Sequence, residues 1–281
     1  MPVEAFLLVL CSALVHAAWN ALIKLEADRL ALIRIMCATQ VVLSLALIPF
    51  VAVPAAPSWP YLGASALLGI VYVQVLNRAY QAGDLSFVYP LARGVAPLLV
   101  ALASVVLVGE QLARGAQLAV LLIGLGITSL ALTRSGANLR DPRAVLFALA
   151  TGCVTATSTI VDGLGARLAG SPHSYMVWLS LVTSSLIVAS LHRRKRADRP
   201  PLARRTLVSG VASGVLSYAA AWIVIWAFTV APIALVSALR ETGIVFAVVI
   251  GVAFLRERLN LARLASILVT LLGAALLKLS R

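Results

Sequence analysis

The chain has 281 residues, 62% of them hydrophobic and only 12% charged, whereas soluble domains are about half apolar and about a quarter charged. That excludes a soluble globular enzyme. The formal charge of +13 would suit a nucleic-acid binder, but no Lys/Arg stripe alternates with aromatics as such a surface requires, so no nucleic-acid partner is expected.

Apolar runs bounded by charge, Pro or Gly fall at about 3–24, 30–53, 59–82, 86–108, 115–133, 143–168, 174–192, 205–228, 232–255 and 261–279. A hydrocarbon core about 30 Å thick takes about 20 residues per helix, so the runs predict ten transmembrane helices in an all-α membrane protein with lipid as its first partner. Barrel strands would show strict alternation over about 10 residues, and runs such as Leu98 to Val108 show none. The first 24 residues lack a basic start and a small-residue cleavage site and read as a retained first helix. Cys11, Cys37 and Cys153 form neither an even disulfide set nor a CxxC pair and read as packing residues.

In hydrocarbon a polar side chain needs a partner, so polar residues at helical spacing should face the bundle interior. In the first span Ser12, His16, Trp19 and Asn20 share one face, and in the third Gln74, Asn77, Arg78 and Gln81 do the same. The fourth offers Ser86, Tyr89, Arg93, the breakers Pro90 and Pro97, and a terminal Glu110. The sixth aligns Thr151, Thr155, Ser158, Thr159 and Asp162; the eighth carries Tyr218, Trp222 and Trp226 at i, i+4 and i+8; the ninth aligns Ser237, Arg240 and Glu241 and ends near Glu257. Together these stripes can line one polar, aromatic-walled cavity. Glu110 and Glu257 read as interfacial structural carboxylates, and Trp226 as part of the interfacial aromatic belt. Ser12, Thr151 and Thr155 read as interhelical glue. Tyr218 and Trp222 fit pocket and core equally well.

Arg93 and Arg240 lie about seven or eight residues inside their helices, about 11 Å deep at 1.5 Å per residue. A charge at that depth costs several kcal/mol unless paired, and the available partners are Asp162 and Glu241. The set is either a fixed salt-bridge cluster pinning the helices or a carboxylate or phosphate clamp whose acidic member exchanges protons. His16, with its near-neutral reference pKa, is a candidate proton carrier or a packing residue.

Of the 23 Lys and Arg, fifteen fall at the loops after spans one, three, five, seven and nine, above all the run from His192 to Arg205. Arg114, Arg167, Lys278 and Arg281 fall on the other side, and Arg34, Arg78, Arg93 and Arg240 within spans. Counting positive charge at the helix ends places both termini outside the cytoplasm. An offset of 147 superposes Arg93 on Arg240, Val105 on Val252, Glu110 on Glu257, Leu112 on Leu259 and Gly126 on Gly273. These identities predict two five-helix repeats, 1–138 and 139–281. Because five is odd, the copies are inverted, which places a substrate site near the midplane between them.

Two enzyme fragments fail on inspection. Asp162-Gly163-Leu164-Gly165-Ala166-Arg167 matches part of a membrane phosphotransferase motif, but Thr159, Ser180 and Ser184 stand where further metal-holding acids would be needed. Val211-Ala212-Ser213-Gly214 lacks the leading glycine of a rhomboid protease. No phosphate-cradling loop occurs, so there is no built-in ATPase, and no metal or cofactor is expected.

The run His16 to Lys24 (HAAWNALIK), the run Ala79 to Gly94 (AYQAGDLSFVYPLARG), Val161-Asp162-Gly163 and Ala238 to Thr242 (ALRET) resemble the ten-helix EamA-type members of the drug/metabolite transporter superfamily. The resemblance implies a two-repeat secondary transporter of the cytoplasmic membrane, with a cavity formed by helices 1, 3, 4, 6, 8 and 9 and small metabolites, often amino acids, as exported cargo. Members are usually drawn with cytoplasmic termini, opposite to the charge count. The expectation is therefore an exporter of a small polar or zwitterionic metabolite. Arg93 and Arg240 would neutralise its carboxylate or phosphate; Trp19, Tyr89, Tyr218 and Trp222 would shape the pocket; His16, Asn20, Asn77 and Tyr80 would orient cargo. Asp162 and Glu241 would couple protons or hold the arginines. A lipid-head-group flippase and an intramembrane enzyme are the alternatives. The oligomeric state is not legible, although fused halves permit a monomer.

Overall fold

A computed structural model of the chain describes residues 1–26, 28–132, 141–192, 203–255 and 261–279. Its helices are α1 (Val3–Leu25), α2 (Arg29–Leu47), α3 (Trp59–Ala82), α4 (Leu85–Val106), α5 (Arg114–Leu132), α6 (Pro142–Leu168), α7 (Pro172–His192), α8 (Arg204–Val230), α9 (Ile233–Glu241), α10 (Gly243–Leu255) and α11 (Leu261–Leu279). Among the described residues there is no strand. Ten segments are long and apolar enough to cross a bilayer, α9 and α10 supplying the ninth. The chain is thus an all-α, multi-pass membrane protein, as the ten apolar runs predict. An even number of spans brings both ends to one side, the terminal face; the loops after the odd-numbered spans form the opposite, basic face. Glu257 and most of the charges on that face lie outside the described residues.

Local chemistry sets several boundaries. Asp28 caps α2 by accepting from the Ala31 amide at 2.9 Å, and Asp141 caps α6 from the Arg143 amide at 2.9 Å, with Pro142 at the first helical position, where its missing N–H leaves no bond unmade. α4 continues as one helix through Pro90 and Pro97. The break comes in the ninth span instead. There the Thr242 amide donates to the Leu239 carbonyl at 3.1 Å, and the Thr242 hydroxyl donates to the same carbonyl at 2.6 Å. Gly243 then opens α10 with its backbone against α1, where an added Cβ would stand 3.0 Å from the Ala13 carbonyl oxygen. A discontinuous helix at membrane depth is stable where it is buried in protein or borders a cavity.

Packing follows small residues. α5 and α11 cross so closely that a Cβ on Gly126 would reach within 2.6 Å of Thr270 and one on Gly273 within 2.8 Å of Ile123; Ser129 and Ser266 hydrogen-bond across the crossing at 2.7 Å. Without a hydrophobic effect between helices in lipid, such approach supplies the dispersion contacts that hold them. α1 packs on α8, α6 on α3, α2 on α7 and α4 on both α5 and α6. Between α1, α2, α3, α6, α7 and α8 a space is left unfilled.

Candidate functional site

That space is a cavity of about 430 Å³. α1 contributes Ser12, His16 and Trp19; α6 contributes Thr155, Ser158, Thr159 and Asp162; Arg93 enters from α4 and Arg240 from α9. The polar stripes read on the first and sixth spans therefore do meet at one place. Their hydroxyls are not free glue, however. Thr151, Thr155 and Thr159 donate to the carbonyls of Phe147, Thr151 and Thr155 at 2.7, 2.9 and 2.9 Å, the back-bonding that serine and threonine adopt inside helices. Ser12 is the exception, donating across helices to the Ala220 carbonyl at 2.8 Å.

Glu241 organises the charges. It is 2% exposed, and its Oε2 lies 2.9 Å from Arg93 Nε while its Oε1 lies 3.3 Å from Arg240 Nη2. Arg93 is the more fully held: its Nη2 also meets His16 Nε2 at 3.1 Å and its guanidinium stands 5.6 Å from the centre of the Tyr89 ring. Since arginine only donates, His16 Nε2 must accept. Arg240 has the one long bond to Glu241, and its buried Nε has no hydrogen-bond partner among the described residues. The two arginines are therefore not equivalent. One is part of a fixed cluster tying α4 to α9 and α1; the other keeps a donor to spare at the cavity.

Asp162 makes no direct ion pair with either arginine among the described residues, although Arg240 lies within electrostatic reach of it. Ser65 and Tyr175 flank its carboxylate, yet its buried Oδ1 has no hydrogen-bond partner among the described residues. The glycines that follow it make this arrangement possible. A Cβ on Gly163 would stand 2.5 Å from Ile233 Cδ1, and one on Gly165 would collide with the Tyr175 hydroxyl at 2.3 Å, so the D-G-x-G sequence is a seat for α9 and for Tyr175. The buried Trp19 Nε1 and Thr183 Oγ1 also lack partners among the described residues, and both residues line the cavity. Buried polar atoms are almost always satisfied, so three donors and one acceptor left open around one void mark where a ligand or water bonds.

Other predicted residues fall elsewhere. Asn20 and Tyr89 border a separate recess of about 20 Å³ on the far side of His16 and Arg93, room for about one water. Asn20 also donates to the His16 carbonyl at 2.7 Å. Asn77 is exposed and Tyr80 is 38% exposed; neither lines the cavity. Gln74, Arg78 and Gln81 share the exposed face of Leu67 and Val71. Tyr218 is buried and accepts from the Ser44 hydroxyl at 3.3 Å, and Trp222 packs on Tyr218 with 5.7 Å between ring centres while its Nε1 donates to His173 Nδ1 at 2.7 Å. From α8 it is Ser217, Ala220, Ala221, Val224, Ile225 and Phe228 that line the cavity.

The second and seventh spans escaped the sequence reading. Gln40 on α2 accepts from Ser184 on α7 at 2.6 Å and donates to Ser217 on α8 at 2.9 Å, joining three helices in the wall. The signal was present in Ser180, Thr183 and Ser184 at i, i+3 and i+4; Gln40 had no polar neighbour at helical spacing toward the basic face.

Comparison with known proteins agrees with this architecture. One solved crystal structure superposes with a TM-score of 0.76 over 99% of this chain and 98% of that chain at 19% sequence identity, a likeness of fold. No curated protein matches the chain. Residues 142–279, which span α6 to α11, match the model of the EamA-like transporter family. The second half of the chain, α6 to α11, thus carries the signature of the EamA-like transporter family, within a ten-span membrane fold.

Proposed function

We propose that the protein is a secondary active carrier that exports a small polar or zwitterionic metabolite, such as an amino acid, across the cytoplasmic membrane by alternating access around the midplane cavity, with both termini outside the cytoplasm. The observation that carries this reading is the set of unpartnered polar atoms around the void: Trp19 Nε1, Thr183 Oγ1 and Arg240 Nε as donors and Asp162 Oδ1 as acceptor. Arg93 and Arg240 with Glu241 leave one formal positive charge, and Asp162 supplies one negative charge at a distinct place on the wall. A cargo with an anionic and a cationic end complements that separation, whereas a single ion leaves one buried charge uncompensated.

On this reading Arg240 and Trp19 bond the carboxylate or phosphate, and Arg93, His16 and Glu241 hold Arg240 in place. Asp162 takes the cationic end or the coupling proton. Support for inverted units 1–138 and 139–281 comes from the packing pattern: α1 on α8 is mirrored by α6 on α3, and α2–α7, α5–α11 and α4–α9 pair as helices across a twofold axis would.

The test is twofold. Purified protein is screened for thermal stabilisation by amino acids, phosphonates and sugar phosphates, because a ligand that binds the folded state raises its apparent stability. Reconstituted vesicles then measure movement of the stabilising compound. Arg240→Ala and Asp162→Asn should each abolish both responses while the unliganded protein remains folded; transport unchanged in both variants overturns the assignment.

A further inference from the structure

After α4 ends at Val106, Gly109 adopts φ 74°, a left-handed turn that glycine makes at no steric cost, and the Glu110 amide donates back to the Ser104 carbonyl at 2.9 Å. This sets the Glu110 carboxylate, 8% exposed, 2.7 Å from Arg167 Nη2 on α6. The same carboxylate accepts from the amides of Ile233 at 2.9 Å and Ala234 at 3.5 Å, the first residues of α9, whose opening N–H groups have no partner within the helix. A negative charge there also complements the helix dipole. Arg167 in turn donates to the carbonyls that end α8, Phe228 at 2.8 Å and Ala231 at 3.1 Å.

Two side chains thus join the α4–α5 connection to α6, α8 and α9, and each of these helices leads to the cavity. Asp162 lies five residues before Arg167 on α6, Phe228 lines the cavity, and Arg240 lies seven residues beyond Ile233, about 10 Å at 1.5 Å per residue. Toward this terminal face the cavity is lined by Ile225 and Phe228, only 4% and 1% exposed. Toward the basic face α3 carries Asn77 and Tyr80 exposed, outside the cavity lining. Arg167 keeps 31% of its side chain exposed, so it can return to water when its bonds break.

We infer that Glu110 and Arg167 are positioning residues that lock the cavity shut on the terminal face and, by holding the first turn of α9, set where Arg240 stands. The lock rests on the carrier reading above. Opening the terminal face requires the ends of α8 and α9 to part from the α4–α5 connection, which breaks the bonds to Phe228, Ala231, Ile233 and Ala234 together. Losing the lock shifts the balance of the two states; it does not abolish the site.

Ala221 is exposed and lines the cavity, which makes Ala221→Cys a reporter in a chain whose Cys11, Cys37 and Cys153 are replaced by Ala. A membrane-impermeant maleimide is applied to vesicles of either sidedness. With the lock intact, labelling is expected from the basic face. Glu110→Gln should raise labelling from the terminal face by about tenfold or more, the shift that loss of one charged hydrogen bond gives a two-state equilibrium, and lower it from the basic face. Arg167→Lys, which keeps the charge but not the branched donors, should lie between. Thermal unfolding confirms that each variant is folded, and Glu110→Asp replaces Glu110→Gln if the latter is not. Terminal-face labelling that stays at its starting level in the folded variants overturns the lock and leaves the carrier intact; no labelling from either face in any variant overturns the carrier reading itself.

Discussion

Helices α3 and α8 begin alike and end differently. Each sets a glycine at its middle against a helix that carries cavity residues: α8 on α2, where a Cβ on Gly214 would crowd Thr39 at 2.7 Å, and α3 on α7, where one on Gly69 would make ordinary contact with Thr183 at 3.5 Å. Counting back two, five and six residues from the last helical residue gives Phe228, Ile225 and Val224 on α8 and Tyr80, Asn77 and Leu76 on α3. The first set is buried and lines the cavity toward the terminal face; in the second, Tyr80 and Asn77 are exposed and Leu76 is half-buried. Apolar side chains close on one another without further partners, whereas burying Asn77 and the Tyr80 hydroxyl requires hydrogen bonds that must first be found. The ends of α8 and α3 thereby differ in chemistry: buried apolar side chains, with the Glu110–Arg167 pair beside them, toward the terminal face, and exposed polar ones toward the basic face.

The largest effect is expected at the pivot between these ends. Arg93 and Glu241 join α4 to α9 at 2.9 Å with the carboxylate 1% exposed, and removing one member of a buried pair costs about 3–5 kcal/mol because the other charge is left uncompensated. Glu241→Ala should lower thermal stability by an amount of that order and eliminate transport. If Glu241→Ala unfolds at the same temperature as the parent protein, the cluster is not a pivot, and the contrast between the ends cannot depend on it.

A smaller effect is expected from making the two helix ends alike. Asn77→Ile with Tyr80→Phe gives α3 the apolar chemistry of α8, and burying one such side chain is worth about 1.5–3 kcal/mol. Closure of the basic face should be favoured, so that maleimide labelling of Ala221→Cys from that face falls by about tenfold. Unchanged labelling would mean that the exposure of Asn77 and Tyr80 has nothing to do with access to the cavity.

What could be read in advance follows from which forces are local. The ten spans were legible because length and apolarity alone decide them. The importance of Arg93 and Arg240 was legible because buried charge demands a partner, but the allocation was not: Glu241 bonds both arginines directly, while Asp162 meets Arg240 only through its field, a result of tertiary geometry. The break at Thr242 was hidden in the apolar run 232–255, since what permits it is the approach of Gly243 to Ala13 on α1. Helical periodicity groups residues on a face but does not say which face meets the cavity. Hence Gln74, Arg78 and Gln81 share a face with Leu67 and Val71, and Tyr218 and Trp222 pack beside the wall instead of forming it.

The smallest effect tests that last distinction. Trp222 and Gln74 lie eight residues from the ends of α8 and α3, at corresponding places away from the cavity lining. Trp222 is tied down by Tyr218 and by its 2.7 Å bond to His173, while Gln74 is exposed. Trp222→Phe keeps an aromatic ring for the edge-on contact with Tyr218 and removes one hydrogen bond, worth about 1 kcal/mol. A partner left at the margin of the bundle reaches headgroup water, so transport should change by less than about twofold. A loss comparable to that of Arg240→Ala would place the indole against cargo and move the outer limit of the site from Ala221 to the face that Trp222 shares with Trp226.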